Sequence, residues 1–179
     1  MTANISNVLT NNNEQITPMC NNHPEHEHPT SFAELSARDK RAVLFHILYA
    51  AESYDYQASI ESIVDNLNRG FELDIPLDDP IVIIAANIIE LRDNLDDTYK
   101  PFLTNWRFDR IGVPTKLILR YAVWELLHTT IPTTIIINEA IELAKAFGEK
   151  DSYKFINGVL DELVKKLPAR QQKEGPDNP

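Results

Sequence analysis

The chain has 179 residues, 43% of them hydrophobic and 25% charged, a composition that suits one domain with its own apolar core. A single cysteine excludes an internal disulfide framework, and no apolar run approaches the roughly 20 residues of a membrane-spanning helix. Because no apolar signal segment follows a basic N-terminus, we expect a cytoplasmic protein. The formal net charge of −10 opposes broad attraction to phosphates and favours a basic protein partner.

Both ends of the chain lack the apolar spacing of a helix or a strand. Residues 1–30 are rich in Asn, Thr, Glu, His and Pro and predict a disordered arm, and residues 168–179 predict a flexible tail. The arm contains four side chains that could bind zinc or nickel, namely Cys20, His23, His26 and His28. Because no folded frame surrounds them, we interpret the tract as a polar arm and predict no metal site. The folded domain is expected at residues 31–167.

The first helix is predicted from a stripe of apolar residues at helical spacing. Two capping-box spacings precede the stripe, Ser31 with Glu34 and Ser36 with Asp39. The stripe consists of Val43, Leu44, Ile47, Leu48 and Ala51.

Two further helices are predicted in the first half of the chain. A short stripe over residues 60–67 indicates a helix that ends at Gly70, a residue common just after a helix. Asp79 followed by Pro80 then predicts an N-cap and the first residue of a single long helix. The inward residues of that helix are predicted to be Ile81, Ile84, Ala85, Ile88, Leu91 and Leu95.

The second half continues with helical spacing. A short helix is predicted over residues 99–106, and a longer one from Pro114 to about His128. The core side of the longer helix is predicted to be Leu119, Ala122, Val123, Leu126 and Leu127. Residues 133–137 are β-branched and locally favour a strand, but the residues after them continue a helical pattern to a stop at Gly148. We therefore predict a helix there.

The last helix is predicted to begin after Asp151 as its N-cap and to end before Pro168. Its apolar stripe is Phe155, Ile156, Val159, Leu160, Leu163 and Val164. Gly158 lies within it, where glycine costs about 1 kcal/mol relative to alanine, so we expect a neighbouring helix to pack closely there. On that view, replacing Gly158 with leucine would disrupt packing. The predicted fold class is all-α, with about seven helices and no strand.

No residue spacing in the folded region requires an active site. His46 lies beside the apolar stripe of the first helix, and His128 lies near a helix end. We interpret them as a packed and a capping histidine, because neither has a nearby Cys, Ser or carboxylate in a recognisable motif. We therefore predict a protein that is not an enzyme and has no cofactor.

A small group of cations is a candidate for binding RNA. The cations lie at the start of the first and last helices and are Arg38, Lys40, Arg41, Lys150 and Lys154. Tyr153 and Phe155 flank Lys154, and aromatic rings beside cations suit base stacking and phosphate contact with single-stranded RNA. The alternative is an ordinary solvated face, with Phe155 in the core.

Two long segments carry a more specific residue pattern. They are IPTTIIINEAIELAKAFGEKDSYKFINGVLDEL at residues 131–163 and NWRFDRIGVPTKLILRYAVWELL at residues 105–127. Both segments resemble the NusB family of bacterial transcription antitermination factors. The pattern includes Trp106, Arg110, Arg120 and Glu125.

The resemblance implies a two-lobed, all-helical bundle that performs no chemistry. It implies a protein that binds the boxA element of nascent RNA, as in ribosomal RNA operons, jointly with the small ribosomal protein NusE. The RNA polymerase elongation complex would then be an indirect partner, and no membrane is involved. Relatives occur as monomers or dimers, so the resemblance leaves a homodimer open.

The resemblance also implies where these partners bind. It points to Arg38 and Arg41 on the first helix and to Asp151 and Phe155 at the head of the last helix as RNA-binding residues. Lys40 and Lys154 of the cationic group complete the expected RNA-binding surface. The expected NusE surface includes Tyr49 and the neighbourhood of Thr115, which stands where the family often has a carboxylate. Residues 37–41 hold fewer arginines than the dense run typical of the family, so we expect weak RNA binding without NusE.

Two functions remain open from the sequence. The first is a stand-alone antitermination factor that recognises boxA-like RNA with NusE. The alternative is a protein-interaction module with the NusB fold and weak or lost RNA binding. A methyltransferase is not expected, because the chain has no Gly-rich cofactor loop and no alternation of strands and helices.

Overall fold

The computed structural model describes residues 31–104 and 106–167. The predicted arm, with its Cys- and His-containing tract, the predicted tail and Asn105 lie outside the described residues. The described part contains α-helices and no strand, which confirms the all-α prediction. The helices are α1 (Ala37–Ser53), α2 (Ile60–Phe71), α3 (Pro80–Glu90), α4 (Arg92–Tyr99), α5 (Val113–His128), α6 (Thr133–Phe147) and α7 (Ser152–Val164). Short 3-10 turns occupy Phe32–Glu34, Lys100–Phe102 and Phe108–Arg110.

The central helix is α5. It packs against α1, α3, α4, α6 and α7, and 11 of its 16 residues are buried, so it has no broad solvent face. Around it, α1 packs against α2 and α3, and α6 and α7 pack against each other. Among the described residues, none of the helices is both long and apolar enough to cross a bilayer.

The start of α1 is capped as predicted, although by only one of the two proposed boxes. Ser36 accepts a hydrogen bond from the backbone N–H of Asp39 at 3.1 Å, and its hydroxyl donates to the Asp39 carboxylate at 2.6 Å. Ser31 instead precedes the 3-10 turn and makes no side-chain capping bond. The predicted apolar stripe faces the core, where Leu44, Ile47 and Leu48 are fully buried.

The end of α2 lies beyond the predicted stop at Gly70. The helix continues to Phe71, and Glu72 adopts the left-handed conformation (φ 54°) that ends it. Asn68 holds the following loop, because its side chain accepts a hydrogen bond from the Ile75 N–H at 2.9 Å and donates to the Ile75 carbonyl at 3.3 Å. Glu72, which is not a glycine, therefore ends the helix, and the hydrogen bonds between Asn68 and Ile75 hold the loop that follows.

The single long helix predicted from Pro80 is two helices in the structure. Asp79 caps α3 by accepting a bond from the Ile81 N–H at 2.9 Å, as predicted. At Leu91 the backbone leaves the helical conformation (φ −89°, ψ 6°), and α4 begins at the next residue. The Arg92 guanidinium donates to the Ile89 carbonyl at 3.1 Å and so satisfies an acceptor at the end of α3. The apolar spacing missed this break because it continues through both helices.

Two predictions around α5 were wrong. Of the segment 99–106, predicted as one helix, Tyr99 ends α4 and Lys100–Phe102 form a 3-10 turn, after which the backbone leaves helical geometry at Leu103 (ψ 63°). The predicted core side of α5 is buried except for Leu127, which is 45% exposed. The last two residues of α5, Leu127 and His128, are exposed to solvent.

The β-branched segment forms the first turn of α6, as the longer helical pattern predicted, and Gly148 is the C-cap of that helix. The φ of Gly148 is −83°, a value that any residue can adopt, so the backbone conformation does not require glycine there. It is packing that requires glycine. A Cβ at this position would overlap the Ser152 hydroxyl and lie 2.6 Å from the Ala144 carbonyl oxygen. Gly148 therefore permits the close passage of the chain from α6 into α7.

The start and the middle of α7 differ from the predictions. Asp151 occupies the N-cap position in a left-handed conformation (φ 64°), and its side chain makes no capping bond but pairs with Lys154 at 2.9 Å. Gly158 is exposed, and a Cβ there would meet nothing within 4 Å. None of the described helices approaches it closely, so the expected disruption by leucine has no basis in this part of the chain.

Candidate nucleic-acid interface

Arg38 is the most exposed cation at the start of α1. Its side chain is 62% exposed, and its guanidinium lies 3.3 Å from Glu139 and 3.8 Å from Glu142, both on α6. Exposed ion pairs of this kind contribute only about 0–1 kcal/mol, so a phosphate can compete for the guanidinium. Arg38 is therefore accessible to RNA but is partly neutralised by α6.

Arg41 is in a different environment, although it lies one turn further along the same helix. Its side chain is only 13% exposed and pairs with Glu125 of α5 at 2.6 Å. The Arg41 Nε is buried and has no hydrogen-bond partner among the described residues. Burial raises the pKa of Glu125, and the charge of Arg41 opposes that rise. In this structure Arg41 thus joins α1 to α5 and offers little of its charge to a ligand.

Lys40 lies between these two extremes. Its ammonium is 4.8 Å from the centroid of the Phe32 ring, a cation–π contact that holds the 3-10 turn before α1 against the helix. The residue is half-buried.

The candidate residues of α7 lie close together at its start. Asp151 and Lys154 are exposed and paired, while Phe155 is half-buried. The Phe155 ring packs against Trp106, with ring centroids 5.1 Å apart and planes inclined at 52°. No binding role was predicted for Trp106 from the sequence. In the structure Trp106 is 56% exposed. Trp106 ends the segment predicted as a helix over residues 99–106, and its place in the residue pattern of the NusB family was the signal that could have identified it.

The two groups of candidate RNA residues are connected through α6. Arg38 of α1 pairs with carboxylates of α6, and α6 packs along α7. The Lys145 ammonium of α6 lies 5.9 Å from the Tyr153 ring centroid, and that of Lys154 lies 5.6 Å from it. A ligand that reaches both groups would therefore cross the middle and C-terminal part of α6 or the start of α7.

Tyr49 belongs to an exposed aromatic surface. We define this aromatic surface as Phe45, His46, Tyr49, Phe71 and Phe147, contributed by α1, α2 and α6. Phe45 is buried and stacks on Phe147 at 4.6 Å between centroids, whereas Tyr49 and Phe71 are exposed. Burial lowers the pKa of His46, so its ring is neutral at pH 7 and adds to the apolar character of this surface.

Thr115 is buried, and its side chain is engaged within the protein. Its hydroxyl donates a hydrogen bond at 2.6 Å to the Glu149 carboxylate, which comes from the loop between α6 and α7. A Cβ on Gly112 would overlap the same carboxylate, so the glycine leaves room for it at the start of α5. Glu149 thus puts a negative charge where the positive end of the α5 dipole favours one. Glu149 therefore supplies a carboxylate next to Thr115, a position where the family often has one.

Arg120, buried in α5, holds three parts of the molecule together. Its guanidinium donates two hydrogen bonds of 2.8 Å to Asp96 of α4, and further bonds to Glu52 at 2.9 Å and to the Tyr56 hydroxyl at 2.8 Å. Tyr56 also donates to Glu52, and burial and that carboxylate raise the pKa of Tyr56 to about 12. The network is structural, because its charges are satisfied internally.

The described residues contain no group of three or more His, Cys, Asp or Glu side chains that could hold a metal ion. The Cys- and His-containing tract lies outside them.

Comparison with known proteins identifies the family. The sequence model of the NusB family matches residues 38–165. The chain is 36% identical over 135 residues to the transcription antitermination protein NusB of Macrococcus caseolyticus, covering 73% of this chain and 98% of that protein. It is 37% identical over 130 residues to the protein of the same name from Staphylococcus haemolyticus, covering 72% and 99%. The solved structure of T. maritima NusB matches with a TM-score of 0.63 at 30% identity, covering 74% of this chain and 92% of that one. The chain belongs to the NusB family.

Proposed function

We propose that this protein is a transcription antitermination factor that binds boxA-like single-stranded RNA of nascent transcripts jointly with NusE. The observation that carries the proposal is similarity over almost the whole length of relatives that are named transcription antitermination proteins. It extends through both candidate surfaces, since the family match begins at Arg38 and continues to residue 165. RNA polymerase would be contacted within the resulting elongation complex.

The proposed RNA surface consists of Arg38 and Lys40 on α1 with Asp151, Lys154 and Phe155 on α7. The exposure of Arg38 and Lys154 supports phosphate contacts by both, and the ring of Phe155 supports stacking. Arg41 contributes by holding α1 in place against α5. If about three phosphates are contacted, the slope of log affinity against log salt would be about −2 for single-stranded RNA. Binding by the protein alone would therefore be weak.

The proposed NusE surface consists of the aromatic surface around Tyr49 and the Glu149 carboxylate beside Thr115. Exposed aromatic side chains supply most of the binding free energy in many interfaces, and a carboxylate can pair with a cation of a basic partner. The net charge of −10 would speed the encounter with such a partner. NusE would then supply positive charge that this chain lacks.

The test is fluorescence anisotropy of a labelled boxA-like RNA and a scrambled RNA, with the protein alone and with purified NusE, at two salt concentrations. We expect selective binding that strengthens when NusE is added. Arg38→Glu should weaken the binding of the complex to boxA-like RNA. Arg69→Glu on α2 is the matched control, because Arg69 is also exposed (70%) and ion-paired.

The second candidate function, a protein-interaction module, is favoured by the intramolecular pairing of both arginines of α1. NusE binding without RNA selectivity, unaffected by Arg38→Glu, would establish that function and reject the RNA-binding one. Sedimentation of the same samples would show whether the protein is a homodimer and whether NusE changes its oligomeric state.

A further inference from the structure

Trp106 is exposed in a way that the fold itself does not require. It follows the 3-10 turn at Lys100–Phe102, and more than half of its side chain is open to solvent. Burying a tryptophan is among the larger stabilising contributions that a single side chain can make, so this position leaves much of that contribution unused. Within residues 31–104 and 106–167 its one ring contact is with Phe155, and at an inclination of 52° the two rings do not cover each other face to face.

The segments of the chain next to Trp106 and Phe155 carry exposed cations. Residues 107–110 contain two arginines and one aspartate, and residues 150–154 contain two lysines and one aspartate. Within these segments Arg107 pairs with Asp109 at 2.7 Å and Lys154 pairs with Asp151 at 2.9 Å. Arg110, Lys150 and Lys154 are all exposed. Open aromatic faces next to cations that can hold a phosphate backbone are what proteins use to bind unpaired bases.

We propose that Trp106 and Phe155 form a stacking platform for one unpaired base of the bound RNA, with Trp106 supplying the larger face. The inference rests on the proposed function and adds a base-contacting residue to the proposed RNA surface. Stacking is tolerant of sequence because every base has an aromatic face. The platform therefore strengthens binding at one position of the RNA without selecting the base there.

The first test measures the affinity of the NusE complex for boxA-like RNA. Trp106→Ala should weaken binding about 5- to 100-fold, while Trp106→Phe should retain most of the affinity. Tyr54→Ala is the matched control, because Tyr54 is equally exposed (54%) and lies at the end of α1. RNAs with an abasic site at one position at a time should identify the stacked base. At that position the abasic site should weaken binding by the wild type but should not further weaken binding by Trp106→Ala. A structural role for Trp106 would weaken binding equally at every position.

The second test uses the intrinsic fluorescence of the protein. The chain contains two tryptophans, and Trp124 is buried against His128, so the solvent-exposed signal comes from Trp106. RNA should quench the fluorescence of the wild type, and Trp106→Phe should abolish that quenching while still binding RNA. If the wild type binds RNA selectively but Trp106→Ala binds as tightly, the platform is wrong and the proposed function stands. If no form binds RNA with or without NusE, both fail together.

Discussion

Arg38 and Arg41 are one helical turn apart on α1, yet the protein uses them differently. Arg38 points outward and makes exposed ion pairs with α6, whereas Arg41 is almost enclosed and pairs with Glu125. Desolvation makes the buried pair costly to break, because Glu125 would lose the arginine that opposes its charge in a buried site. A reversal of charge at position 41 would thus disturb the fold as well as any ligand contact. Arg38 is the residue at which RNA binding can be tested without that complication.

At the residue scale, we predict that the carboxylates of α6 restrain RNA binding. The double substitution Glu139→Gln and Glu142→Gln removes both partners of Arg38 and should strengthen binding of boxA-like RNA about 2- to 5-fold, since exposed pairs are weak. Anisotropy titrations at fixed salt measure the change. Glu61→Gln with Asp65→Asn on α2 alters the net charge equally. An equal gain in that control would mean that overall charge, and not release of Arg38, is responsible.

The helices of this fold depend on two things. The helix ends can be predicted from the local sequence, whereas the packing between helices cannot. Pro80 and Gly148 lie at a helix start and a helix end, as expected from their local chemistry. The two glycines near α7 look alike in the sequence, but only Gly148 is surrounded by other atoms. Their substitution by alanine should consequently have opposite effects.

At the scale of elements, Gly158→Ala should stabilise the protein by about 0.5–1 kcal/mol, because alanine is the better helix former and the site is open. Gly148→Ala should destabilise it by about 1–3 kcal/mol, because the new methyl group would press on the Ala144 carbonyl and the Ser152 hydroxyl. Urea denaturation of the two variants and the wild type measures both changes. Destabilisation by Gly158→Ala would show that a neighbour does approach α7 in solution.

At the scale of the whole molecule, the buried network of Arg120 connects α5 to α4, to the end of α1 and to the loop that follows it. Arg120→Met should cost about 3–5 kcal/mol, because Asp96 would remain buried with the hydroxyl of Tyr99 as its main partner. Arg69→Met removes an exposed pair and should cost no more than about 1 kcal/mol. Chemical denaturation followed by circular dichroism distinguishes these outcomes, and similar small losses in both variants would contradict a structural role for the network.

The sequence by itself determined the helical class, most helix positions and the family resemblance. Those features depend on apolar spacing and on capping over a few residues, as at Ser36 and Asp79. The tertiary structure decided which candidate residues are available to a ligand. Arg41 meets Glu125 across 84 positions and Thr115 meets Glu149 across 34, separations over which local patterns carry no information.

The same reason explains the other differences. The break at Leu91 leaves the apolar period intact, and the contact of Trp106 with Phe155 joins a loop to a distant helix. The space around Gly158 likewise depends on where other helices lie. A local pattern shows that a residue belongs to a helix and which of its neighbours share a face. Only the packed chain shows whether that face meets another helix, a buried charge or solvent.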